Sequence, residues 1–285
     1  RDTMKTERKG PLSRFTILDA TRVRAGPTAI RTFADLGARV IKLEIPPGAP
    51  GGDDMIGSRD HNRADYENLH RNKESLTLNM KEPEGKAILE QLVKEADVFI
   101  ENYRPDVKYR LGIGPEELRR INPRLVYASI SGFGQEGPYA NWPGFDSIAQ
   151  GMGGLMSVTG QPGEGPMRVG IPIADLCSGH FCAQAIMAAL LEREVTGEGQ
   201  WVDVSMAETM LYVNEHAHNQ MWTGVEPVGE IRSFQPADYP VLTVADGSMV
   251  VVSGHPAERG TFDFFVAAMQ QPMTCDATSI HSLKI

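Results

Sequence analysis

The 285-residue chain has few of the residues that build disulfide frameworks or metal centres. Its three cysteines, Cys177, Cys182 and Cys275, form no CxxC pair and no Cys/His spacing of the zinc type. The pattern therefore predicts neither a disulfide framework nor a metal site, and it is typical of a reducing compartment.

The chain also lacks a basic surplus and a long apolar run. Its formal net charge is −9, which argues against nucleic acid and membrane surfaces as partners. The longest apolar run contains Gln184 and is shorter than a bilayer span, and the first residues, RDTMKTERKG, lack the apolar centre of a secretory signal. We predict a cytoplasmic protein, with an organelle matrix as the alternative compartment.

Three common nucleotide and nucleophile motifs are absent from the sequence. It contains no GxxxxGK[ST] loop, no GxGxxG that leads from a strand directly into a predicted helix, and no GxSxG elbow. These absences argue against a P-loop, a standard dinucleotide site and a serine hydrolase. A nicotinamide-dependent oxidoreductase, which the fold class alone would allow, is disfavoured for the same reason.

Predicted strands and helices alternate along the chain. The strands are expected at residues 15–19, 39–45, 75–80, 97–102, 124–131 and 201–206, and the helices at 26–38, 82–96, 115–122 and 181–191. Residues 48–65 show no periodicity and are predicted to form a surface loop. This order indicates an α/β fold: an open, Rossmann-like, largely parallel sheet with helices on both faces.

Asp175 stands out because it lies just before the most apolar predicted helix. Asp is a favoured helix N-cap, so the structural role is the first interpretation. A helix N-terminus also stabilises a carboxylate that must stay ionised as a nucleophile. The local pattern favours the cap and leaves the chemical role open.

Basic and amide side chains follow the predicted strands. Ligands of such sheets bind outside the carboxyl ends of the strands. These ends carry Thr21, Arg22 and Arg24, then Asn79 and Lys81, then Asn102, Tyr103 and Arg104, with Arg110 close behind. They would suit a small, multiply anionic ligand such as a nucleotide; the alternative is an ordinary solvated surface.

Eight ordered segments between about residues 12 and 215 carry a more specific pattern. They are ILDATRVRAGP, LGARVIKLEIPPG, RNKESLTLNMKEPEGK, ADVFIENYRP, INPRLVYASISGFGQEGPY, GFDSIAQGMGGLMSVTG, VGIPIADLCSGH and ALLEREVTGEGQWVDVSM. Together they resemble the class III coenzyme A-transferase family, a superfamily that includes formyl-CoA transferase, carnitine CoA-transferase and α-methylacyl-CoA racemase.

The resemblance implies that Asp175, in IADLCSG, is the catalytic aspartate. The implied activity is acyl-CoA:carboxylate CoA transfer through an aspartyl anhydride and an aspartyl-CoA thioester. Coenzyme A is then a substrate, and neither a metal nor a permanently bound cofactor is expected. The other partners implied are a small carboxylic acid and a second copy of the chain.

The resemblance also implies a set of residues that contact CoA. They lie at or after the ends of the first, third and fourth strands or form the GFD turn: Arg24, Ala25, Leu78, Asn79, Met80, Lys81, Asn102, Tyr103, Arg104, Arg110, Gly144, Phe145 and Asp146. Several of these positions coincide with the strand ends identified from composition.

Three departures from the family pattern narrow the expected function. Ile45 replaces an Arg that formyl-CoA transferases use after their second strand, and Phe145 stands where the racemases have a catalytic His. The glycine run of formyl-CoA transferases has no counterpart between residues 224 and 260. A racemase is therefore disfavoured, and a dicarboxylate such as succinate, with succinyl-CoA as donor, is favoured over the formyl/oxalate pair.

The family pattern divides the chain into two predicted parts. Residues 1–220 correspond to the large CoA-binding domain, and residues 221–285 to a linker and the start of a smaller domain whose C-terminal part appears missing. Residues 245–248 are predicted to turn a hairpin, and His255 and Cys275 to be structural. The family implies an interlocked homodimer. A CoA-binding homologue without activity is the alternative to a transferase, along with the racemase.

Overall fold

The computed structural model describes residues 9–46, 64–160, 165–223, 241–243 and 249–251. Several sequence predictions fall outside these ranges. They are most of the 48–65 loop, the hairpin turn at 245–248, the region where the glycine run was sought, and the roles of His255 and Cys275.

The described chain alternates strands and helices as predicted. The strands are β1 Thr16–Asp19, β2 Arg39–Glu44, β3 Glu74–Thr77, β4 Val98–Glu101, β5 Val126–Ser131, β6 Trp201–Ser205, β7 Val241–Thr243 and β8 Met249–Val251. The helices are α1 Ala25–Asp35, α2 Ala64–His70, α3 Pro83–Glu95, α4 Pro105–Leu111, α5 Pro115–Ile121, α6 Asp146–Met152, α7 Ile173–Thr196, α8 Met206–Val213 and α9 Glu215–Trp222. Residues Leu155–Val158 form a 3₁₀ turn.

Six strands form one parallel sheet in the order β3-β2-β1-β4-β5-β6. Ile17 of β1 is level with Val40 of β2 on one side and Val98 of β4 on the other. The chain order therefore reverses between β1 and β4, which is the position where open α/β sheets leave a crevice for ligands. The predicted parallel α/β sheet is confirmed.

Alternate residues of the strands enter two separate cores. Ile17, Val98 and Val126 pack with α1 and α7 on one face, while Leu18 and Phe99 pack with α3 and α5 on the other. Successive strand residues face opposite sides, so a sheet with apolar residues at nearly every position needs helices on both faces.

The central helix α7 is longer than the predicted 181–191 segment. Among the described helices, it alone has the length and mean hydropathy (1.3) of a helix that could cross a membrane. Core helices share these properties, and α7 packs along α1 and against β5 and β6. At Gly179 an added Cβ would lie 2.6 Å from the carbonyl oxygen of Ala25, so the small residue permits this close approach. Gly197, in the left-handed conformation, ends the helix.

The chain divides into two compact units. One contains residues 1–155 and 168–214, with the six-stranded sheet. The other contains residues 156–167 and 215–285, where the described elements are α9 and the antiparallel β7–β8 pair. That pair lies on either side of the predicted hairpin turn.

Candidate active site

The carboxyl end of the sheet brings two distant glycine turns into contact. Gly132 follows β5 directly, and Gly144 precedes α6. A Cβ added to Gly132 would lie 2.4 Å from the Cα of Gly144, so neither position can carry a side chain without displacing the other backbone. This contact places Asp146, two residues further on, beside the N-terminus of α7.

Asp146 caps α7 from outside that helix. Its Oδ1 accepts hydrogen bonds from the backbone nitrogens of Ala174 (2.9 Å) and Asp175 (3.3 Å). The residue at the N-cap position itself is Pro172, which contributes no side-chain hydrogen bond. Asp146 therefore satisfies N–H groups that have no partner within the helix.

The sequence-based preference for Asp175 as the N-cap is wrong. Asp175 is the third residue of α7, inside its first turn. Among the described residues, no hydrogen-bond donor reaches its carboxylate. Because another residue has taken the capping role, the Asp175 carboxylate remains available to a ligand.

Burial and a neighbouring charge alter the acidity of Asp175. Burial, then repulsion from Asp146, raises the pKa of Asp175 from 3.8 to about 6, against the opposing attraction of Arg24 and Arg168. Both raising effects disfavour the ionised form. Above pH 6 the group is nevertheless ionised, with less solvation than a surface carboxylate, which suits a nucleophile.

A buried glutamine holds this arrangement together. The Nε2 of Gln150 donates to Asp146 Oδ2 at 2.7 Å, and its Oε1 accepts from the backbone nitrogen of Val169 at 3.0 Å. The side chain is fully buried. Gln150 thus connects α6 to the segment that leads into α7.

Arg168 belongs to the site and was missed by sequence reasoning. Its Nη2 donates to Asp146 Oδ2 at 3.3 Å, and the side chain is 44% exposed. It lies in an irregular segment among Gly and Pro residues, where no periodic pattern distinguishes a functional Arg from a surface one. Its position seven residues before Asp175 was the one available signal.

The loop after β1 is strained and is held by the loop after β4. Val23 adopts a left-handed φ of 63°, which is unfavourable for a β-branched residue. Next to it, the Arg22 nitrogen donates to Asn102 Oδ1 at 2.8 Å, and Asn102 Nδ2 donates to the Arg22 oxygen at 2.7 Å. These two hydrogen bonds join the loops after β1 and β4 and fix the backbone that leads into Arg24.

A buried ion pair holds the loop that follows β4. Lys108 Nζ lies 3.2 Å from Glu101 Oε1, and neither side chain is exposed. Glu101 also accepts from Ser129 Oγ at 2.6 Å and from the Tyr103 nitrogen at 2.8 Å. Burial raises the pKa of Glu101 despite the nearby ammonium group. The network joins β4, β5 and α4 beneath Asn102 and Tyr103.

A second buried pair lies at the end of β1. Asp19 Oδ2 accepts from Lys73 Nζ at 2.9 Å, and both side chains are buried. Although burial opposes it, attraction from Lys73 and Lys42 and a hydrogen bond from Thr21 lower the pKa of Asp19 to about 2. The pair ties the segment before β3 to the β1 loop.

The family model described as CoA-transferase family III matches residues 12–282. The chain belongs to CoA-transferase family III. The family resemblance inferred from the eight sequence segments is confirmed, and the match extends beyond them towards the end of the chain.

Curated members of CoA-transferase family III are similar to this chain over most of its length. Succinate–glutarate CoA-transferase of Agrobacterium fabrum is 39% identical over 264 residues, which cover 88% of this chain and 65% of the relative. Acetyl-CoA:oxalate CoA-transferase of Acetobacter aceti is 41% identical over 260 residues, covering 89% and 66%. Human succinyl-CoA:glutarate CoA-transferase is 35% identical, covering 88% and 58%. The chain thus spans less than two thirds of the length of these relatives.

Solved structures of the family share the fold. A CaiB/BaiF family protein from Brucella suis has a TM-score of 0.76 at 33% identity, covering 90% of this chain and 70% of its own. Rv3272 from Mycobacterium tuberculosis has a TM-score of 0.73 at 28% identity, covering 93% and 70%.

In this family member, the predicted CoA contacts differ in what they offer a ligand. Arg24 occupies the N-cap position before α1 and donates to Asp65 Oδ2 at 2.6 Å. The side chains of Leu78 and Met80 are buried in the core, so at those two positions the backbone is the group that a ligand could reach. Arg110 lies on the exposed face of α4, where it pairs with Asp106 at 3.2 Å.

The remaining predicted CoA contacts lie at the same end of the sheet, where the strands have their carboxyl ends. Asn79 Oδ1 accepts from the Lys81 nitrogen at 3.1 Å in a turn after β3. Tyr103 is partly buried, and burial raises its pKa to about 12. Ala25 is buried against α7, whereas Arg104 and Phe145 are exposed. The site therefore collects its predicted members along the carboxyl ends of β1, β3 and β4 and at the start of α6.

Proposed function

We propose that the protein moves CoA between an acyl-CoA donor and a carboxylic acid, with Asp175 as the nucleophile. The observation that carries this proposal is the free, partly buried Asp175 carboxylate in the first turn of α7. Asp146 has taken over the capping of that helix. A carboxylate held in the first turn of a helix, with no hydrogen bond from the described residues and two arginines in electrostatic range, is suited to attack a thioester carbonyl.

The reaction balances without an external source of energy. Asp175 attacks the donor thioester carbonyl, so that a C–O bond forms, the C–S bond breaks and CoA leaves as its thiolate. The thiolate attacks the Asp175 carbonyl of this anhydride and releases the donor acid. The carboxylate of the incoming acid then attacks the aspartyl-CoA thioester, which expels the CoA thiolate and forms a second mixed anhydride. The thiolate attacks the acceptor carbonyl of that anhydride, giving the new acyl-CoA and releasing the Asp175 carboxylate. Each step exchanges one activated acyl group for another.

The residues that position the nucleophile are different from the residue that reacts. Asp146 orients the first turn of α7 through two backbone hydrogen bonds, and Gln150 holds Asp146. Both act through other groups and are positioning residues. Arg24 and Arg168 add positive charge where carboxylates and a thiolate must approach an ionised Asp175.

The substrate class follows from the relatives and the strand-end residues. The relatives are named for succinate, glutarate and oxalate, all dicarboxylic acids. We propose a short dicarboxylic acid as acceptor, with succinyl-CoA as donor and the basic strand ends as the CoA surface. The homodimer and the cytoplasmic location stay predictions.

The racemase alternative lacks support at the site. Phe145, 58% exposed and adjacent to Asp146, offers no proton-transferring group. A racemase needs a second base beside its aspartate.

The test is to trap the acyl-enzyme. The full chain is incubated with succinyl-CoA and quenched with hydroxylamine, which converts an aspartyl anhydride or thioester into a hydroxamate, and the modified peptide is identified by mass spectrometry. We expect the hydroxamate at Asp175, and none in the Asp175→Asn variant.

The matched control is Glu192→Gln, which removes an exposed carboxylate from the same helix. Labelling of this control should equal that of the wild type. A hydroxamate at another residue, or CoA binding with no hydroxamate, would contradict the assignment of Asp175 as nucleophile.

A further inference from the structure

Arg168, one of the two arginines near Asp175, has spare hydrogen-bonding capacity. Asp146 Oδ2 is the one acceptor within the described residues that bonds the Arg168 guanidinium. A guanidinium carries five N–H donors in a planar fork that matches a carboxylate. Arg168 therefore retains donors, and the 44% exposure of its side chain makes them accessible.

The position of Arg168 relative to Asp175 is set by a short bonded path. The guanidinium Nη2 lies 3.3 Å from Asp146 Oδ2, and the other oxygen of the same carboxylate lies 3.3 Å from the Asp175 nitrogen. The Asp146 carboxyl group therefore lies between the Arg168 guanidinium and the helix turn that bears Asp175, and it contacts both.

The local charge balance also requires such a cation. Asp146 and Asp175 are neighbouring carboxylates. Of the two arginines near them, Arg24 forms the shorter ion pair, 2.6 Å to Asp65, and its side chain is 28% exposed, against 3.3 Å and 44% for Arg168. A second, non-reacting carboxylate on the incoming acid would be repelled by Asp146. An arginine with unused donors at that place offsets the repulsion.

We infer that Arg168 binds the non-reacting carboxylate of a dicarboxylic acid and so sets a preference for dicarboxylic over monocarboxylic substrates. The inference rests on the proposed function, because it assigns the other carboxylate of the same acid to exchange at Asp175. It makes Arg168 a specificity-determining residue.

The test measures binding, so that its outcome is separate from catalysis. Glutarate and valerate, which differ by one carboxylate, are titrated by calorimetry into the full chain in the presence of free CoA. All variants carry Asp175→Asn, whose neutral carbonyl resembles the uncharged aspartyl thioester that the acid meets. We expect glutarate to bind more tightly than valerate. Loss of a charged hydrogen-bonded pair in Arg168→Gln should weaken glutarate by roughly 10- to 100-fold and leave valerate unchanged.

The matched control is Arg39→Gln. Arg39 is also an exposed arginine paired with a carboxylate, Glu74 at 3.0 Å, but it begins β2 and so lies at the amino end of the parallel strands. Its replacement should change the binding of neither acid. Arg168→Lys keeps the charge without the fork and should restore part of the glutarate affinity, which also covers the case that Arg168→Gln folds poorly.

Three results would overturn the inference. The first is that the protein with Arg168 intact binds glutarate and valerate equally, or binds neither acid. The second is that Arg168→Gln lowers the affinity for both acids by the same factor. The third is that Arg168→Gln keeps its full affinity for glutarate. Failure to trap an acyl-enzyme at Asp175 would overturn the proposed function alone.

Discussion

Replacing Asp175 by Asn should make the protein more stable at neutral pH while abolishing the chemistry. The folded protein raises the pKa of this carboxyl from 3.8 to about 6 through burial and then through repulsion from Asp146. Between these two pH values the native state keeps a proton that the unfolded chain releases. Raising the pH through this window therefore destabilises the native state, and the loss is complete above about pH 6.

The magnitude follows from the size of that change. One pH unit corresponds to about 1.4 kcal/mol, so the full effect is about 3 kcal/mol. The side chain is partly open to solvent, which screens the interaction, so we expect about 1–2 kcal/mol. Asn has nearly the same shape and no charge. It should therefore recover this free energy at pH 7.5 and differ little from the wild type near pH 4.

The assay is denaturant unfolding of wild type and Asp175→Asn at several pH values, with the slope m compared to confirm that the same surface unfolds. Glu192→Gln, on the exposed side of α7, is the control for removing a carboxylate from this helix. A variant that is equally stable or less stable at neutral pH, or a difference that persists unchanged at pH 4, would refute the argument that Asp175 is held at an energetic cost.

Two further substitutions test the surroundings of the nucleophile. Asp146→Asn keeps the oxygen that accepts from the Asp175 nitrogen but removes the negative charge that repels the Asp175 carboxylate. The pH at which acyl-enzyme formation is half-maximal should therefore fall below about 6. A rapid-quench pH profile measures this midpoint, and an unchanged or higher value would contradict the repulsion. Lys108→Met leaves the buried Glu101 carboxylate without its cation and should lower the free energy of unfolding by about 3–5 kcal/mol. Adding Glu101→Gln should restore part of that loss, and a single-variant effect below about 1 kcal/mol would argue against the ion pair.

The strands could be predicted because their residues carry the signal locally. Runs such as VFIE in β4 are apolar at nearly every position, as a strand covered on both faces must be. Helices α2, α4, α6, α8 and α9, each seven or eight residues long, were not predicted. The order in which strands pair, with β1 between β2 and β4, is likewise decided by contacts between distant segments.

The candidate site, like the fold, could be predicted from the sequence only in part. Asp175 and the strand-end residues could be named from motifs, since each motif is a contiguous piece of sequence. Whether Asp175 caps α7 could not be decided from the sequence, because a favourable cap residue at the start of a helix has the same local pattern whether or not it caps. Arg168 shows no pattern at all in its segment.

The sequence by itself determined the six strands of the sheet and four of the described helices, that they form a parallel α/β fold, and which family motifs the chain carries. Only the tertiary structure decided that Asp146 caps α7, that the Asp175 carboxylate has no hydrogen-bond donor within the described part of the chain, and that Arg168 stands beside them. The physical reason is distance along the chain. The hydrogen bond from the Asp175 nitrogen to Asp146 joins residues 29 positions apart, and it exists because the contact of Gly132 with Gly144 brings the start of α6 to the N-terminus of α7.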